Sequence, residues 1–494
     1  MVDSDRLEKL NQIKKLGINP YPYSFNQTHH ASDIANKFAE LENKKVAVAG
    51  RVMSIREHGK LAFIDLHDTS GKIQIWISED NVGKKLFDLL HLIERGDFVG
   101  VNGTVVKTKR GEISVKAVKF EILTKTLRHL PSVWYGLKDV ELRYRMRYVD
   151  LLMNPEVRQT FITRSKIISA IREFLVSKGY VEVETPILQP IYGGGFAKPF
   201  VTVHNELKMN MYLRISDEMY LKRLIAGGFE RVFEFSYDFR NESIDTTHNP
   251  EFLQVEMMTA YSDYKDGIKL VEDVMRYAAE KANGKTKVMY QGQEIDFAKW
   301  EKLTMMESIK KYCEIDVKKL NEKQLITFLE KNKLEVPKDK RKGILINQIF
   351  EELVQPKLIK PTIIYDYPIE VSALARTHRD EPQHTERFEM FVAGFEVGNN
   401  YTEITDASEL ERRFREELKR GKAGNEEAHP MDEDFLKAME YGMPPTSGTA
   451  IGIDRFIMLL TDSPCIRDVI LFPAMRPETQ PKEKKPKASK KKGK

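Results

Sequence analysis

The chain has 494 residues, of which 41% are hydrophobic and 31% are charged, and its formal net charge is +5. This composition is typical of a globular protein of two or three domains, and no apolar run approaches the 18 residues of a transmembrane helix, so we expect no membrane association. The two cysteines, Cys313 and Cys465, have no metal-binding or redox spacing, which favours a reducing, cytoplasmic setting.

The N-terminal segment, residues 1–45, begins with an amphipathic pattern and has no apolar signal-peptide core. Leu7, Leu10, Ile13 and Leu16 recur at helical spacing. We therefore predict a helical segment that packs on the body of the protein rather than on a membrane.

Residues 46–125 have the pattern of a small β-barrel. Apolar and polar residues alternate in KVAVAGRVMSI, LAFIDLHD, GKIQIWIS and DFVGVNGTVV, and one helix is predicted within NVGKKLFDLLHLIERG. Five strands with a helix after the third is the order of an OB-fold, which binds single-stranded nucleic acid through aromatic stacking and a basic groove. Arg51, Phe63 and Gln74 lie on the first three strands, although each alone could be ordinary barrel surface.

An Arg- and Tyr-rich stretch follows the barrel, and we interpret residues 126–160 as a linker that docks rather than a free tether. From residue 161 to about 475 the pattern is mixed α and β. It begins with a helix whose apolar face carries Ile167, Ile171, Phe174 and Leu175, followed by a predicted strand, VEVETPIL, that ends at Pro186.

The stretch FRNESIDTTHNPEF joins two predicted antiparallel strands, ERVFEFSYDF and FLQVEMMTAY. Alternation places apolar residues such as Phe233 and Val255 on one face, and Glu234, Arg240 and Glu256 on the other. The polar face is either simply solvated or a site of chemistry.

The loop between these strands favours a site of chemistry. An arginine such as Arg240 can bind a phosphate with two hydrogen bonds, and Phe252 can stack on a planar base. Glu242, His248 and Asn249 add polar groups. The pattern suggests a nucleotide site without a P-loop, since no G-x-x-x-x-G-K-[ST] sequence occurs.

These segments resemble the three motifs of class II aminoacyl-tRNA synthetases. FRNESIDTTHNPEF is similar to motif 2, SGTAIGIDRFIMLL to motif 3, and the helix with YVEVETPIL to motif 1, with Pro186 as its dimer proline. The N-terminal barrel resembles the subgroup for lysine, aspartate and asparagine. MYLRISDEMYLKRLIAGGFERVFEF, EAHPMDEDFLKAMEYGMPP and SPCIRDVILFP resemble its lysine-specific members in particular.

The resemblance implies an α+β protein with an N-terminal OB-fold β-barrel and a class II synthetase catalytic domain, residues 161–475, whose mixed sheet is mostly antiparallel. It implies attack of an amino-acid carboxylate on the α-phosphate of ATP, followed by transfer to tRNA. Arg240 would hold the α-phosphate and the carboxylate, while Arg455 would cover the adenine and neutralise the terminal phosphates. Phe252 would be the opposite stacking plane, and Glu242, His248 and Asn249 would contact ATP.

The resemblance also implies Mg²⁺ bound by Glu389 and Glu396, with Glu389 near ATP. Carboxylate oxygens suit this ion. Because Glu389 and Glu396 are seven residues apart, a regular strand would place them on opposite faces, so a bulge, turn or bend is required between them. Without the resemblance, two solvated carboxylates would be the simpler interpretation.

Two acids favour lysine as the amino acid, because a buried ammonium needs carboxylate partners. Glu218 lies in the first turn of a predicted helix, where an acid could also serve the helix dipole, and Glu403 alone would be ordinary surface. The resemblance implies that both face the ε-ammonium and that Tyr401 lines the lysine stem. It assigns the amino-acid end to Gly194, Arg240, Glu256 and Asn399.

One position departs from the lysine-specific pattern. Met258 stands where these relatives usually have tyrosine, and a thioether is a poor hydrogen-bonding partner for an ammonium. A lost hydrogen bond would weaken lysine binding by about 1 kcal/mol, unless water replaces the hydroxyl.

The resemblance implies three further partners or arrangements: tRNA(Lys), whose anticodon would meet Arg51, Phe63 and Gln74, ATP with lysine, and a second copy in a homodimer. An aspartate- or asparagine-specific ligase and a catalytically silent RNA-binding relative are the alternatives. The first is disfavoured by the two acids, and the second is expected to lack residues such as Arg240 and Arg455. A relative that lysylates proteins usually lacks the barrel.

The positive charge is concentrated in the predicted disordered tail, residues 476–494. This segment has nine lysine or arginine residues and two glutamates, and it lacks the apolar residues of a core. It is interpreted either as a solubilising tail or as a non-specific attachment to RNA.

Overall fold

The computed structural model describes residues 2–131, 137–195, 197–372, 374–422 and 430–478. The chain forms two compact units, Met1–Lys138 and Asp139–Lys494. The boundary between the units falls within the predicted linker at 126–160, and the predicted tail beyond residue 478 lies outside the described residues. No described helix is long and apolar enough to cross a bilayer.

The first unit contains a closed five-stranded barrel with the strand order β1-β2-β3-β5-β4, which confirms the predicted OB-fold. Its strands are β1 Lys45–His58, β2 Leu61–His67, β3 Lys72–Ser78, β4 Phe98–Lys107 and β5 Ile113–Thr124. Alternate residues of β2, such as Ala62, Ile64 and Leu66, are buried inside the barrel, while Phe63 lies on the outer surface between them. The period of two in the sequence therefore corresponds to an inner and an outer face.

The helices of the first unit are short. They are α1 Ser4–Lys15, α2 Ala31–Asn36, α3 Phe38–Leu41, α4 Glu79–Val82 and α5 Lys84–Phe87, with a 3₁₀ turn at Asp88–Leu92. The single helix predicted between β3 and β4 is wrong, because Gly83 has φ of +80° and interrupts the helix between α4 and α5. In α1, Leu10 and Ile13 are buried, whereas Leu7 and the residue that follows the helix, Leu16, stay exposed.

The second unit is built on an eight-stranded sheet of order β14-β15-β16-β17-β18-β11-β10-β6. Only the β14–β15 and β10–β6 pairs are parallel, which confirms the predicted mixed, mostly antiparallel sheet. The strands of this unit are β6 Val181–Glu182, β7 Leu188–Gln189, β8 Val201–His204, β9 Met209–Leu213, β10 Arg231–Phe239, β11 Glu251–Ala260, β12 Lys287–Tyr290, β13 Gln293–Asp296, β14 Glu301–Thr304, β15 Thr362–Pro368, β16 His384–Val392, β17 Phe395–Thr402 and β18 Thr446–Gly452.

Helices cover one face of this sheet, where the largest apolar core forms between the sheet, α8, α10 and α16. The helices of the unit are α6 Val140–Arg145, α7 Arg147–Met153, α8 Pro155–Ser177, α9 Glu218–Ala226, α10 Tyr264–Asn283, α11 Met305–Cys313, α12 Glu322–Lys331, α13 Lys342–Leu353, α14 Ala407–Lys422, α15 Glu433–Glu440, α16 Ile453–Leu460 and α17 Ile466–Val469, with 3₁₀ turns at Val317–Lys319, Gln355–Lys357 and Ile369–Val371. Helix α8 starts earlier than predicted, at a proline that suits the first helical position. Its predicted apolar face is buried.

The strand predicted over VEVETPIL is much shorter than expected. Only β6 pairs with β10, through Val181 and Val232, and the chain then leaves the sheet before Pro186. Proline has no N–H to donate to a neighbouring strand, so the pairing cannot continue through it.

Strands β10 and β11 form the predicted antiparallel pair, with Glu234 opposite Glu256 and Phe235 opposite Val255. The apolar face enters the core at Phe233 and Val255, although Tyr237 remains 46% exposed. The polar face is not solvated, since Glu234, Glu256 and their polar neighbours on it are buried. It forms one wall of the cavities described next.

Candidate active site

Two adjoining cavities lie over the polar face of the sheet in the second unit. One, of about 270 Å³, contains Glu218, Glu256, Tyr401 and Glu403 in its wall, and we call it the acid cavity. The other, of about 190 Å³, is formed by the loop between β10 and β11 together with Arg455, and we call it the loop cavity. The residues that line both are Arg240, Gln254, Glu396, Asn399 and Ala450.

The residues predicted for the two substrates line these two cavities, with Arg240 and Asn399 in both. The residues predicted for lysine all line the acid cavity: Gly194, Glu218, Arg240, Glu256, Met258, Asn399, Tyr401 and Glu403. The residues predicted for ATP line the loop cavity apart from Glu389, which lines the acid cavity: Arg240, Glu242, His248, Asn249, Phe252 and Arg455.

Arg240 stands where the two cavities meet. Its guanidinium carbon lies 5.1 Å from the ring centroid of Phe252, and its buried Nε has no hydrogen-bond partner among the described residues. The backbone N–H of Arg240 donates to the carbonyl of Pro250 at 2.8 Å, which closes the loop. A stacked guanidinium with unused donors is suited to an anionic ligand.

Arg455 projects into the loop cavity from the first turn of α16. It donates to the carbonyl of Glu396 at 2.7 Å and to Nε2 of His248 at 3.0 Å. Nδ1 of the same imidazole lies 2.8 Å from Oδ2 of Asp245. His248 thus links Arg455 to Asp245 within the loop.

The residue before Arg455 fixes the start of α16, a role that the sequence did not indicate. Asp454 accepts from the backbone N–H of Leu253 at 2.7 Å and pairs with Arg164 of α8 at 2.5 Å. Asp454 therefore joins α16, β11 and α8, which are distant in sequence, directly beside the loop cavity.

The amide and the oxygen of the Asn249 side chain both form hydrogen bonds with the backbone. Its amide donates to the carbonyl of Glu251 at 2.6 Å, and its oxygen accepts from the backbone N–H of Ala474 at 3.3 Å. These bonds hold the end of the loop against the chain that follows α17.

Glu389 and Glu396 lie on the two strands of a hairpin, β16 and β17. The chain reverses at Ala393 and Gly394, both with positive φ, and a bulge follows Met390. The turn and the bulge are the irregularities that the spacing of seven requires, and both carboxylates reach the acid cavity. The two oxygen-bearing groups fit a hard cation such as Mg²⁺, provided that other ligands complete its shell.

Glu389 is tied to its neighbours on the sheet. Tyr367 donates to Oε2 at 2.9 Å, and Arg387, two residues earlier on the same strand face, contacts Oε1. Burial, and then repulsion from Glu396, raises the pKa of Glu389 to about 7, although the charge of Arg387 opposes this shift.

The deep end of the acid cavity contains the two acids predicted for the ammonium. Glu218, at the start of α9, and Glu403, just after β17, have 4% and 0% exposure. Lys222 contacts Glu218, and its Nζ lies 2.5 Å from Oε2 of Glu403. Burial and the charge of Glu218 raise the pKa of Glu403 to about 8, while Lys222 lowers it.

Two glycines make room for this end of the cavity. Gly194 has φ of +84°, and a Cβ there would lie 2.7 Å from Oγ of Ser216. A Cβ on Gly448 would collide with Oε1 of Glu403 and lie 3.0 Å from Sδ of Met258. Met258, buried at 1% exposure, therefore lies beside Glu403 in the wall of the acid cavity.

The opposite part of the acid cavity is also acidic. Glu256 accepts from Gln254 at 3.2 Å and from Ser216 at 3.4 Å. Burial, followed by repulsion from Asp217, raises its pKa well above the usual range. A cationic partner such as an α-ammonium group would oppose this shift and favour the ionised carboxylate.

The three residues predicted for the anticodon lie on the first three strands of the barrel, as expected. Phe63 stacks on Trp76 with ring centroids 6.5 Å apart, and Gln74 accepts from Ser114 at 2.9 Å. Arg51 is directed to the barrel itself, because it donates to the carbonyl of Gly96 at 2.8 Å and lies 4.1 Å from the Phe98 ring. Phe63 and Trp76 form the aromatic surface.

Comparison with known proteins agrees with this architecture. Residues 139–476 match the family model of class II tRNA synthetases for D, K and N, and residues 46–123 match that of the OB-fold nucleic acid binding domain. The chain belongs to the class II aminoacyl-tRNA synthetases, a family of ligases that use ATP.

Close relatives identify the branch of this family. The chain is 50% identical to the lysine–tRNA ligase of Moorella thermoacetica, over 96% of this chain and 98% of the relative. It is 48% identical to that of Thermoanaerobacter pseudethanolicus and 49% to that of Pelotomaculum thermopropionicum, over 96% of this chain and 95% and 94% of the relatives. The chain therefore belongs to the lysine–tRNA ligase branch, and the aspartate and asparagine alternatives are not favoured.

Four residues at or beside the site were not predicted from the sequence: Lys222, Arg387, Asp454 and Arg164. Weak signals existed for the first two. Lys222 follows Glu218 by four residues on a helix, the spacing of a helical ion pair. Arg387 and Glu389 are two apart on a strand and so share its face. The contact between Asp454 and Arg164 had no local signal, since 290 residues separate them.

Proposed function

We propose that this protein activates lysine with ATP to form lysyl-adenylate and then transfers the lysyl group to the 3′ end of tRNA(Lys). This proposal rests on the buried pair Glu218 and Glu403 in the wall of one cavity, which shares lining residues with a second cavity that contains Arg240 and Arg455. A long side chain with a terminal ammonium matches the first cavity, and a triphosphate matches the second.

Lysine would lie with its ammonium at the two acids and its stem along Tyr401. Its α-ammonium would meet Glu256, while Asn399 and Gly194 would bound the amino-acid end. Its carboxylate would then point to the junction of the cavities, where Arg240 is in reach of both ligands. Positioning the reactants in this way supplies a large part of the rate enhancement.

In the first step the lysine carboxylate oxygen forms a bond to the α-phosphorus, and the bond from that phosphorus to the pyrophosphate oxygen breaks. The carboxylate is already ionised, so no general base is required. Arg240 would neutralise charge at the α-phosphate, Arg455 would do so at the terminal phosphates, and Phe252 would support the adenine. In the second step a terminal ribose hydroxyl of tRNA attacks the carbonyl carbon, and AMP leaves.

Mg²⁺ would be held by Glu389 and Glu396 together with phosphate oxygens, and it would supply charge neutralisation on the phosphates. The described residues contain no group of three or more His, Cys, Asp or Glu arranged for a metal, so the protein alone does not complete an octahedral shell. Replacing Glu396 by Gln should raise the Mg²⁺ concentration needed for half-maximal activity, and an unchanged requirement would argue against this role.

The tRNA anticodon would be bound on the outer surface of the barrel. Phe63 and its partner Trp76 offer an aromatic platform, and Gln74 offers a polar group beside it. Arg51 has a weaker case, because its guanidinium is engaged with Gly96 and Phe98.

A homodimer is supported by exposed apolar side chains around the motif 1 region of the second unit. These residues are 45–59% exposed in the single chain: Ile162, Val181, Ile187, Leu188, Val201 and Val203. A second copy related by two-fold symmetry would bury them. The molar mass in solution, measured by light scattering, tests this arrangement. The cytoplasmic location remains a prediction from the sequence.

The deciding experiment for the function is ATP–pyrophosphate exchange with each standard amino acid in turn, followed by aminoacylation of tRNA(Lys). Exchange should depend on lysine. Exchange driven by aspartate or asparagine instead would overturn the substrate, and no exchange with any amino acid would favour a catalytically silent relative.

A further inference from the structure

A lysine of the protein itself stands between the two acids of the acid cavity. Lys222 Nζ contacts Glu218 and lies 2.5 Å from Glu403 Oε2. The side chain of Lys222 is only 5% exposed, and those of its two partners are 5% and 0% exposed. All three charges are thus removed from water, where an uncompensated charge is strongly unfavourable.

The position of Lys222 follows from the helix that carries it. Lys222 lies one turn after Glu218 on α9, so both side chains project from one helical face. Its Nζ also lies 5.4 Å from the ring centroid of Tyr401. The internal ammonium therefore has the same acidic and aromatic neighbours that we propose for the ammonium of the substrate.

Lys222 does not fill the cavity. Glu218, Tyr401 and Glu403 all lie in its wall, but Lys222 does not, so its ammonium approaches the acids from the protein side. Oε2 of Glu403 is engaged by Lys222 at 2.5 Å, whereas Oε1 has no hydrogen-bond partner among the described residues. A buried carboxylate with one unused acceptor in a cavity wall can still receive a second ammonium.

We propose that Lys222 is the charge-balancing residue of the amino-acid site, an inference that rests on the proposed lysine specificity. When all three groups are ionised, two carboxylates and one ammonium leave a single net negative charge. One substrate ammonium cancels it. Lys222 therefore matches the pocket to a side chain with one positive charge, and it acts through Glu218 and Glu403 rather than on the reacting atoms.

The test compares Glu403→Gln with the double variant Glu403→Gln/Lys222→Met in lysine-dependent ATP–pyrophosphate exchange. In the single variant, Lys222 neutralises Glu218, and no negative charge remains for the substrate. The KM for lysine should rise about 100-fold or more. In the double variant, Glu218 has lost its internal ammonium partner and faces the substrate. The KM for lysine should therefore be about tenfold or more below that of Glu403→Gln, with the KM for ATP unchanged.

The matched control is Arg223→Met in the same Glu403→Gln background. Arg223 is the next residue on α9, but it pairs with Asp432 at 2.8 Å rather than with the acids of the cavity. It should give no recovery. Glu403→Gln/Lys222→Gln is tested in parallel, so that poor folding of one double variant does not decide the outcome. Thermal unfolding shows which variants are folded.

Recovery in a Lys222 double variant but not in the Arg223 control supports the proposal. A folded Lys222 double variant no better than Glu403→Gln, or equal recovery in the control, would overturn it. Failure of the wild-type protein to use lysine would refute the proposed function. Lysine use by the wild type without recovery would refute only the role of Lys222.

Discussion

Two buried lysines, one in each unit, pair with two carboxylates, but their surroundings differ. Lys125 donates to Glu94 at 2.6 Å, to Asp97 at 2.8 Å and to the carbonyl of Leu92 at 3.0 Å, which uses all three of its protons. Oδ2 of Asp97 also accepts from the backbone N–H of Glu94, and Oδ1 accepts from the backbone N–H and the hydroxyl of Thr126. Around Lys222, in contrast, Oε2 of Glu403 contacts the ammonium at 2.5 Å, but Oε1 has no hydrogen-bond partner among the described residues.

The difference separates a structural charge network from one built for a ligand. Complete hydrogen bonding lets a buried ion pair contribute to stability and hold the ends of elements together. A buried carboxylate with unused acceptors lowers stability until a ligand arrives, and such sites are where recognition is expected. The same pairing of residues thus has opposite consequences in the two units.

The largest expected effect is on the structural network. Replacing Lys125 by Met removes the cation nearest to Asp97 and Glu94 and leaves them only the more distant Arg6, at 3.8 and 4.0 Å, as a shared cation. This should lower the free energy of unfolding of the first unit by about 3–5 kcal/mol. Chemical denaturation followed by circular dichroism measures this loss. Lys60→Met, which removes an exposed pair with Glu79, is the control and should have little effect. A small loss of stability in Lys125→Met would contradict the structural role of this network.

The next effect is on the ligand network. Glu218→Gln removes one acid from the pocket and should raise the KM for lysine on the order of 100-fold, because the remaining charges of Glu403 and Lys222 cancel. The KM for ATP should not change, and the protein should stay about as stable as the wild type, since repulsion between two buried acids is relieved. A large loss of stability would instead assign Glu218 a structural role.

A third prediction concerns binding of tRNA on the barrel. Phe63→Ala should weaken tRNA binding by about 1–3 kcal/mol, seen as a higher KM for tRNA in aminoacylation. Lysine-dependent exchange in the absence of tRNA should not change. Equal losses in both assays would show that Phe63 has a structural role, because the two reactions share only the catalytic unit.

A smaller, graded effect is expected from pH. The pKa of Glu403 is raised to about 8, so the substrate-free pocket retains a proton below this pH, and that proton must leave before the carboxylate pairs with an ammonium. The KM for lysine should therefore fall as pH rises from about 6.5 to 8.5, by at most about tenfold per pH unit.

The groups that face Glu403 are Glu218 and Lys222 of α9 and Tyr401 of β17, and Met258 of β11 adds no charge. Glu403→Gln should show a shallower dependence than the wild type over the same range. An equal slope in the two proteins would assign the titration to another group, such as Glu256.

The smallest effect is expected at Met258. Met258→Tyr should leave activity intact or lower the KM for lysine several-fold, since a hydroxyl beside Glu403 could add a hydrogen bond of about 1 kcal/mol. Steady-state exchange kinetics measure the change. A large loss of lysine activation would show that the position is not beside the substrate.

Local patterns in the sequence predicted much of the fold and the membership of the site. Alternation in β2, β10 and β11 reflects the period of two of a strand with one buried face, and Gly and Pro marked most element ends. The resemblance brought Arg240 and Arg455 to one nucleotide site. What failed locally was the helix interrupted at Gly83 and the strand that stops before Pro186, because pairing partners and positive φ are not visible in composition.

The sequence by itself therefore determined which residues carry the chemistry: an acid pair, two arginines and an aromatic ring on recognisable segments. Only the tertiary structure decided how their charges are balanced. Whether Glu403 meets a lysine of the protein depends on where α9 packs against the end of β17, and those elements are separated by about 180 residues in the chain. Burial then sets the energetic weight of each charge, and burial is a property of the packed fold rather than of any segment.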